Sequence, residues 1–498
     1  MNAWRGTVAA AFAALATVTT APYLAAWCRP PDGHAFTGVF FYRDDFYQYL
    51  SFAEQAGHGA LAFRNKFDLR PHEPFVVNVE WWTAGVLGRL AGGPAAGFHA
   101  LRLVALLGLV SGAAALLRRA GLSGAPLRWA LALVVTGGGL GWLALWAGTP
   151  GWQVPDVAMG LYPFHQSLTN THFAVGTALL LWSLALLLDA RAARGPRWRW
   201  IATATLLGFS RPYDFATFAA TAGLLGLVDL ARARTRRSGV GGLLDLAWLA
   251  PVAVYYGLLA GAHPSFGGWG GQDIDLSPPL HHYVLALLPA ALLWIVFAGR
   301  RGASAPAGVR EALYAWGVAN ASLLLLGPSG LARQTVTGLG AAMLLLAATA
   351  VPRRALPWAV FALAPTSAFL LWRVFHPWPD CFAPRDYFAA VERLRGACAP
   401  GDVAIAPTDL SLMVAGLTPC SVVFGHRTLT PGYAERLAEG NRFYHEPDTP
   451  AGWRRAYVEA RGARFVAVPA QGGERLLGPA SPFRPILRTP LLEVWERR

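Results

Sequence analysis

Two adjacent carboxylates, Asp44 and Asp45, stand in the stretch FFYRDDFYQY (Phe40 to Tyr49), directly behind Arg43 and among aromatic side chains. Carboxylates in such a setting at a membrane face can take a proton from a hydroxyl or hold a cation. Two solvated acids of a loop turn would read the same way, because adjacent aspartates alone are a short motif. Other polar residues interrupt apolar sequence further on. A Pro- and Gly-rich segment, 149–173, carries His165, Gln166, Asn170 and His172. Its histidines can hydrogen-bond a bound ligand, or simply pack the loop. Arg211 and Asp214 bracket Pro212 within an apolar run, and Arg333 stands alone in GPSGLARQTVTG. An arginine at a membrane edge can meet a phosphate. For Arg211 the alternative is a structural ion pair with Asp214, and for Arg333 an interfacial anchor. Asp273 and Asp275 have a spacing that can hold a divalent cation, although no metal site is assigned there. Gly425-His426 follows an expected strand, where loops of α/β sheets bind ligands; a turn capped by the imidazole is the other reading.

The elements that must position these groups follow from composition. The chain has 498 residues, 54% apolar and 14% charged, with a mean hydropathy of +0.37. Apolar runs of roughly 17–25 residues recur, as a bilayer core requires, so the fold expected is a polytopic α-helical membrane protein. The net charge of +14 comes from arginines clustered between apolar runs, which fits the positive-inside rule and not a nucleic-acid partner. Lys66 is the sole lysine. Cys28, Cys381, Cys398 and Cys420 lack metal-ligand spacing. On an outer surface a disulfide such as Cys381–Cys398 is allowed, with unpaired buried thiols as the alternative.

In chain order, an uncleaved first span is expected from Thr7 to Trp27, followed by an outer segment, 28–95, that carries the aspartates. Trp81 and Trp82 mark a short helix lying along the interface. Arginine clusters at 118–119, 191–199, 232–237, 300–301 and 353–354 mark the inner side. The total is about eleven spans, the run Trp200–Ser210 being short for one. The unit around Arg211–Asp214 has basic flanks on both sides. It either rises and returns as two short helices, open to protein or a water-filled cavity, or forms one span kinked at Pro212.

Residues 1–373 thus make the membrane domain. From His376 apolar runs shorten and helical and strand patterns alternate, so 374–498 is expected as an outer α/β domain with a mostly parallel sheet. Its helices are expected at Arg385–Cys398, from Asp409, and near 431–442 and 450–461. Strands are expected at Asp402–Ala406, Ser421–Phe424 and Arg464–Val468, with one or two more in 484–495. No phosphate-binding glycine motif stands at a strand-to-helix turn.

This arrangement resembles the GT-C superfamily of membrane glycosyltransferases, in particular bacterial relatives of protein O-mannosyltransferases and aminoarabinose transferases. Asp45-Phe46-Tyr47-Gln48-Tyr49 fits the D-x-x-x-Y form of the family's acidic motif after the first span. His72-Glu73-Pro74-Phe75 is similar to its H-P-P-L stretch, with Glu73 for the first Pro, and Asn170-Thr171-His172-Phe173 to an N-P-H-F motif, with Thr171 for Pro. The resemblance implies transfer of a sugar from a polyprenyl-phosphate sugar to a glycan, lipid or protein acceptor. It places the active site and the C-terminal domain on the outer face of a bacterial plasma membrane. It implies Asp45 or Asp44 as the base, and Arg211, Arg333, His172, Asn170, Tyr49 and His72 as substrate-binding residues. No cofactor is assigned, and a divalent cation is left open. A flippase for a lipid-linked sugar, a lipid-linked-oligosaccharide polymerase and a non-catalytic scaffold with an outer binding domain are the competing functions.

Overall fold

The computed structural model describes residues 3–232, 243–262, 278–299, 305–326, 334–478 and 482–498. Two compact units are formed. One takes the chain up to Leu24 and most of Leu101 to His376; the other takes Ala25–Ala100 and Pro377–Arg498. Arg333, Asp273 and Asp275 lie outside the described residues.

The first unit is helical, as a chain in lipid must be when its backbone groups have only each other as partners. Among the described residues seven helices are long and apolar enough to cross a membrane: Trp4–Cys28, Pro94–Arg119, Gly124–Trp146, Thr171–Arg191, Pro212–Arg232, Leu280–Ala298 and Arg353–Phe375. The remaining expected spans correspond to the helices Trp198–Ser210, Asp245–Gly261, Ala307–Leu326 and Gln334–Ala350. They fall short for physical reasons. Trp198–Ser210 has 13 residues, about 20 Å against a hydrocarbon core of about 30 Å. Ala307–Leu326 carries Arg310 and Glu311 near its start and a buried Asn320.

Trp198–Ser210 and Pro212–Arg232 are separate helices broken at Arg211, whose backbone is extended (φ −143°, ψ 92°). The rings of Trp200 and Phe218 lie 5.9 Å apart, which a single continuous helix cannot bring about at 1.5 Å per residue. The chain therefore rises and returns, and the kinked single span is excluded. Arg102, inside a span, is buried and held by Thr19 Oγ1 (3.1 Å), Thr20 Oγ1 (2.9 Å), the Ser167 carbonyl (3.1 Å) and the face of the Tyr23 ring.

The second unit is built on a five-stranded sheet of order β4-β3-β5-β7-β6, with β3 Val403–Ile405, β4 Ser421–Val422, β5 Phe465–Pro469, β6 Phe483–Arg488 and β7 Leu492–Arg497. β3 runs parallel to β4 and β5, whereas β7 is antiparallel to β5 and β6. The sheet is thus mixed, not mostly parallel. The short link Thr489–Leu491 between β6 and β7 forces a hairpin, since a parallel return needs a long crossover. Helices Arg385–Ala397, Thr408–Leu417, Tyr433–His445 and Ala451–Ala460 occupy the expected places. Val466, Val468, Phe443, Tyr457 and Trp495 form the centre of its core.

Sequence patterning did not reveal a two-stranded ribbon, β1 His34–Phe36 against β2 Phe382–Pro384, which ties the acid-bearing segment to the C-terminal part of the same unit. The helix Arg43–Gly57 packs there on Val79–Ala91 and Thr408–Leu417. The disulfide is Cys398–Cys420, joining the end of one helix to the start of β4. Cys381 is instead a buried thiol in β1–β2 surroundings, so the Cys381–Cys398 pairing is corrected.

Candidate active site

Asp44 and Asp45 open the helix Arg43–Gly57, and burial of Phe46, Tyr47, Leu50, Phe52 and Ala53 fixes its rotation. The helix is clamped by close backbone approaches. A Cβ on Gly85 would meet the Ala53 carbonyl at 2.5 Å, and one on Gly416 the Tyr47 carbonyl at 2.8 Å. Tyr42, the residue before the helix, sits in the left-handed region (φ 55°, ψ 45°) and offers no side-chain cap. Only Ala193 and Gln471 share that feature among the described non-glycine residues. An aromatic residue there costs about 1–3 kcal/mol and persists only where its surroundings over-determine it, as functional sites often do.

Asp45 Oδ1 lies 3.2 Å from His426 Nε2, with the carboxylate side chain 41% exposed and the imidazole 4% exposed. Arg43 Nη2 donates to Asp409 Oδ1 at 2.7 Å and Nη1 to the Asp380 carbonyl at 3.3 Å. Asp44 keeps an exposed edge, yet the protein around it is dense enough to push its carboxyl above the ordinary range. Burial is the main cause; His426 and Arg43 pull the other way, and Asp45 and Asp409 add to the rise. The arrangement can hold a base on Asp45 next to a second carboxyl whose anion burial disfavours.

The other candidates of this unit have partners of their own. The Tyr49 ring stacks on Trp81 at 4.2 Å. His72 lies beside Phe75, its ring 5.7 Å away, among Asp68, Arg64, Arg70 and Glu73, with burial lowering its pKa. Sequence reading passed over Lys66. Its ammonium is buried and donates to Glu54 Oε2 (2.6 Å) and to the carbonyls of Thr418 (2.7 Å) and Ala415 (3.3 Å), at the end of the helix Thr408–Leu417. Burial pulls the Lys66 pKa down against the pull of Glu54. A lone lysine in this chain was the available signal.

In the first unit, Asn170, His172 and Arg211 come together. Asn170 Oδ1 accepts the His172 backbone N–H at 3.0 Å and caps the helix Thr171–Arg191. The Arg211 guanidinium lies 4.9 Å over the Phe173 ring, donates to Asp214 Oδ2 at 2.7 Å and to Thr337 Oγ1 at 3.0 Å. Both side chains of the pair are fully buried. Gly176 permits this, since a Cβ there would stand 2.1 Å from Asp214 Oδ2. His165 is buried, and burial lowers its pKa to about 3, so it is neutral. Asp156, another residue the sequence did not single out, accepts the Gly141 N–H (2.9 Å) and the Thr366 hydroxyl (3.3 Å), and burial raises its pKa. Among the described residues no three or more His, Cys, Asp or Glu side chains gather as a metal site.

No family model and no curated protein matches the sequence. Solved structures do. ArnT from Cupriavidus metallidurans in the apo state is 15% identical, with a TM-score of 0.53 over 97% of this chain and 96% of its own. The same protein bound to undecaprenyl phosphate is 14% identical, with a TM-score of 0.52 over 97% of both chains. The Archaeoglobus fulgidus oligosaccharyltransferase in the apo form is 10% identical, with a TM-score of 0.53 over 94% of this chain and 70% of its own. At these identities the likeness is one of fold: this chain is a multi-pass membrane protein with the fold of ArnT and of that oligosaccharyltransferase.

Proposed function

We propose that this protein transfers a sugar from a polyprenyl-phosphate sugar to a hydroxyl-bearing acceptor, a glycan, lipid or protein, at the outer face of a bacterial plasma membrane. The observation that carries the proposal is Asp45. It is a half-exposed carboxylate at a strained helix start, with one oxygen held by His426, in a chain of GT-C fold. The structure of ArnT with undecaprenyl phosphate supports a lipid carrier as donor. The Cys398–Cys420 disulfide supports an oxidising, outer compartment for the second unit.

In this reaction the acceptor oxygen forms a bond to the anomeric carbon as the carbon–oxygen bond to the phosphate breaks. The hydroxyl proton passes to Asp45, and the bonding pair leaves on the phosphate oxygen. A positioned base contributes typically about 10²–10⁴ in rate, and a cation near the phosphate stabilises the leaving charge. Arg333 is proposed for that cation. Arg211 would have to exchange Asp214 for the phosphate first. His172 and Asn170 would orient the donor beside it, and Tyr49 and His72 would line the acceptor side. A divalent cation is left open: among the described residues no three or more His, Cys, Asp or Glu side chains gather that could hold one.

The test is turnover of labelled undecaprenyl-phosphate-linked sugars by membranes containing the full chain. Transfer lost in Asp45→Asn, with expression and lipid binding retained, supports the reading. Full transfer in the Asp44→Asn/Asp45→Asn double variant overturns it. Lipid movement across the bilayer without transfer would mean a flippase.

A further inference from the structure

We propose that His426 is a positioning residue for Asp45: a neutral imidazole, locked by Thr428 as an Nε2–H donor, which holds one carboxylate oxygen and leaves the other to the reacting hydroxyl. This rests on the reading of Asp45 as the base, and it makes the C-terminal sheet part of the catalytic machinery.

The tautomer follows from the partners. The Thr428 backbone N–H lies 3.2 Å from His426 Nδ1. A backbone N–H can only donate, so Nδ1 presents a lone pair and the ring proton sits on Nε2. The Thr428 hydroxyl, 2.9 Å from the same nitrogen, can donate as well. Nε2–H then points at Asp45 Oδ1, 3.2 Å away. A ring charged at both nitrogens would set Nδ1–H against the Thr428 amide. His426 is also held in place: it is buried, its ring lies 5.8 Å from that of Phe67, and a Cβ on Gly425 would meet Phe67 at 3.1 Å. Asp45 and Asp44, on one helix, act on the ring directly; Arg43 and Asp409 act in turn on Asp44, and Asp44, Arg427 and Asp409 on Tyr433.

The chemistry explains why a neutral donor suits this place. A guanidinium or ammonium against the carboxylate would hold its charge and oppose proton uptake. A neutral N–H fixes the carboxylate's orientation and leaves its net charge in place, lowering its basicity less than a cation would while aligning the free lone pairs.

Three variants of the full chain test this by donor turnover, with radiolabelled undecaprenyl-phosphate hexose in membranes as probe. His426→Leu is expected to lower kcat about tenfold to a hundredfold, the worth of a hydrogen bond to a charged group, with the donor KM within about twofold, as expected when the lost interaction acts in the transition state. His426→Gln, whose amide N–H reaches about as far as Nε2–H, should recover most of the loss. In an Asp45→Asn background His426→Leu should cost nothing further, because coupled residues are non-additive. A Gln variant no better than Leu, a loss confined to KM, or an equal loss in the Asp45→Asn background would overturn the proposal. An active Asp45→Asn would instead remove the base reading itself. Independent of turnover, ¹⁵N-histidine spectra of the full chain should show a neutral Nε2–H ring, absent in His426→Gln, that shifts on Asp45→Asn. An Nδ1–H ring, or no shift, would equally sink it.

Discussion

Asp214 and Asp45 each face a nitrogen-bearing side chain, yet their partners differ in charge and their surroundings in access. Asp214 is fully buried against the Arg211 guanidinium. Asp45 is 41% exposed against an imidazole that Thr428 keeps neutral. A carboxylate in a sealed ion pair has its charge cancelled and no route for a reacting hydroxyl, so its contribution is structural. A carboxylate held on one side by a neutral donor and open on the other keeps the charge and the access that proton transfer needs. The contrast separates an acid that the sequence offers as the partner of an arginine from one that it offers as a base.

Arg211 provides the largest expected effect. Removing one member of a buried pair leaves a bare charge, and Arg211→Ala is expected to cost about 3–5 kcal/mol of stability, whereas replacing both partners with apolar side chains should cost far less. Thermal midpoints of Arg211→Ala and of Arg211→Met/Asp214→Leu, in detergent, measure this. A stable double variant that no longer binds undecaprenyl phosphate would move Arg211 from the structural to the substrate side. Next in size, and opposite in kind, is Asp45→Asn: turnover should fall by about 10²–10⁴ at an unchanged midpoint. Asp214→Asn should show the reverse, a lowered midpoint and less effect on turnover per folded molecule. If both variants lower the midpoint and spare turnover, the comparison collapses.

The features readable in the sequence were those that depend on neighbours along the chain. Apolar runs announced the helices, arginine clusters their ends, and the switch to alternating patterns near His376 the C-terminal sheet. Arg211 and Asp214, three residues apart on the turn before Phe215, were legible as a pair for the same reason. What could not be read was anything fixed by distant partners. The sequence separation between His426 and Asp45 is 381, and no periodicity encodes that contact. The β1–β2 ribbon pairs strands of three residues each, too short to show alternation. The disulfide partner of Cys398 depended on where β4 begins, and the apolar content of Ala307–Leu326 was offset by Arg310, Glu311 and Asn320, of which the pattern did not reveal that Asn320 is buried.

Asn170 gives a smaller, diagnostic effect. Its side chain caps the helix Thr171–Arg191, and an N-cap is worth about 1 kcal/mol, much of which serine retains. Asn170→Ala should therefore lower the midpoint while Asn170→Ser largely keeps it, and donor KM should rise in both if the amide also orients the donor. A donor KM unchanged in both variants would show that the amide touches only backbone.

Asp44 should give the smallest change, and its sign is the informative part. The folded chain holds its carboxyl above the ordinary value, chiefly through burial. Between the unfolded and the folded value the native state therefore binds a proton that the unfolded chain releases. Stability from this group is present in full at acid pH below the ordinary carboxylate range, and it is lost as pH rises through the folded value. Asp44→Asn abolishes the titration, so at pH 7 its midpoint should lie slightly above that of the wild type, and the difference should shrink as the pH is lowered toward about 4. Turnover should fall about tenfold or less if Asp44 only orients its neighbour, well short of the loss for Asp45→Asn. Midpoints measured across pH 4–8, with turnover on the same preparations, decide the matter. A midpoint lower than wild type at pH 7 would mean that Asp44, like Asp214, is held by a partner that stabilises its charge, and the two regions would then differ less than their exposure suggests.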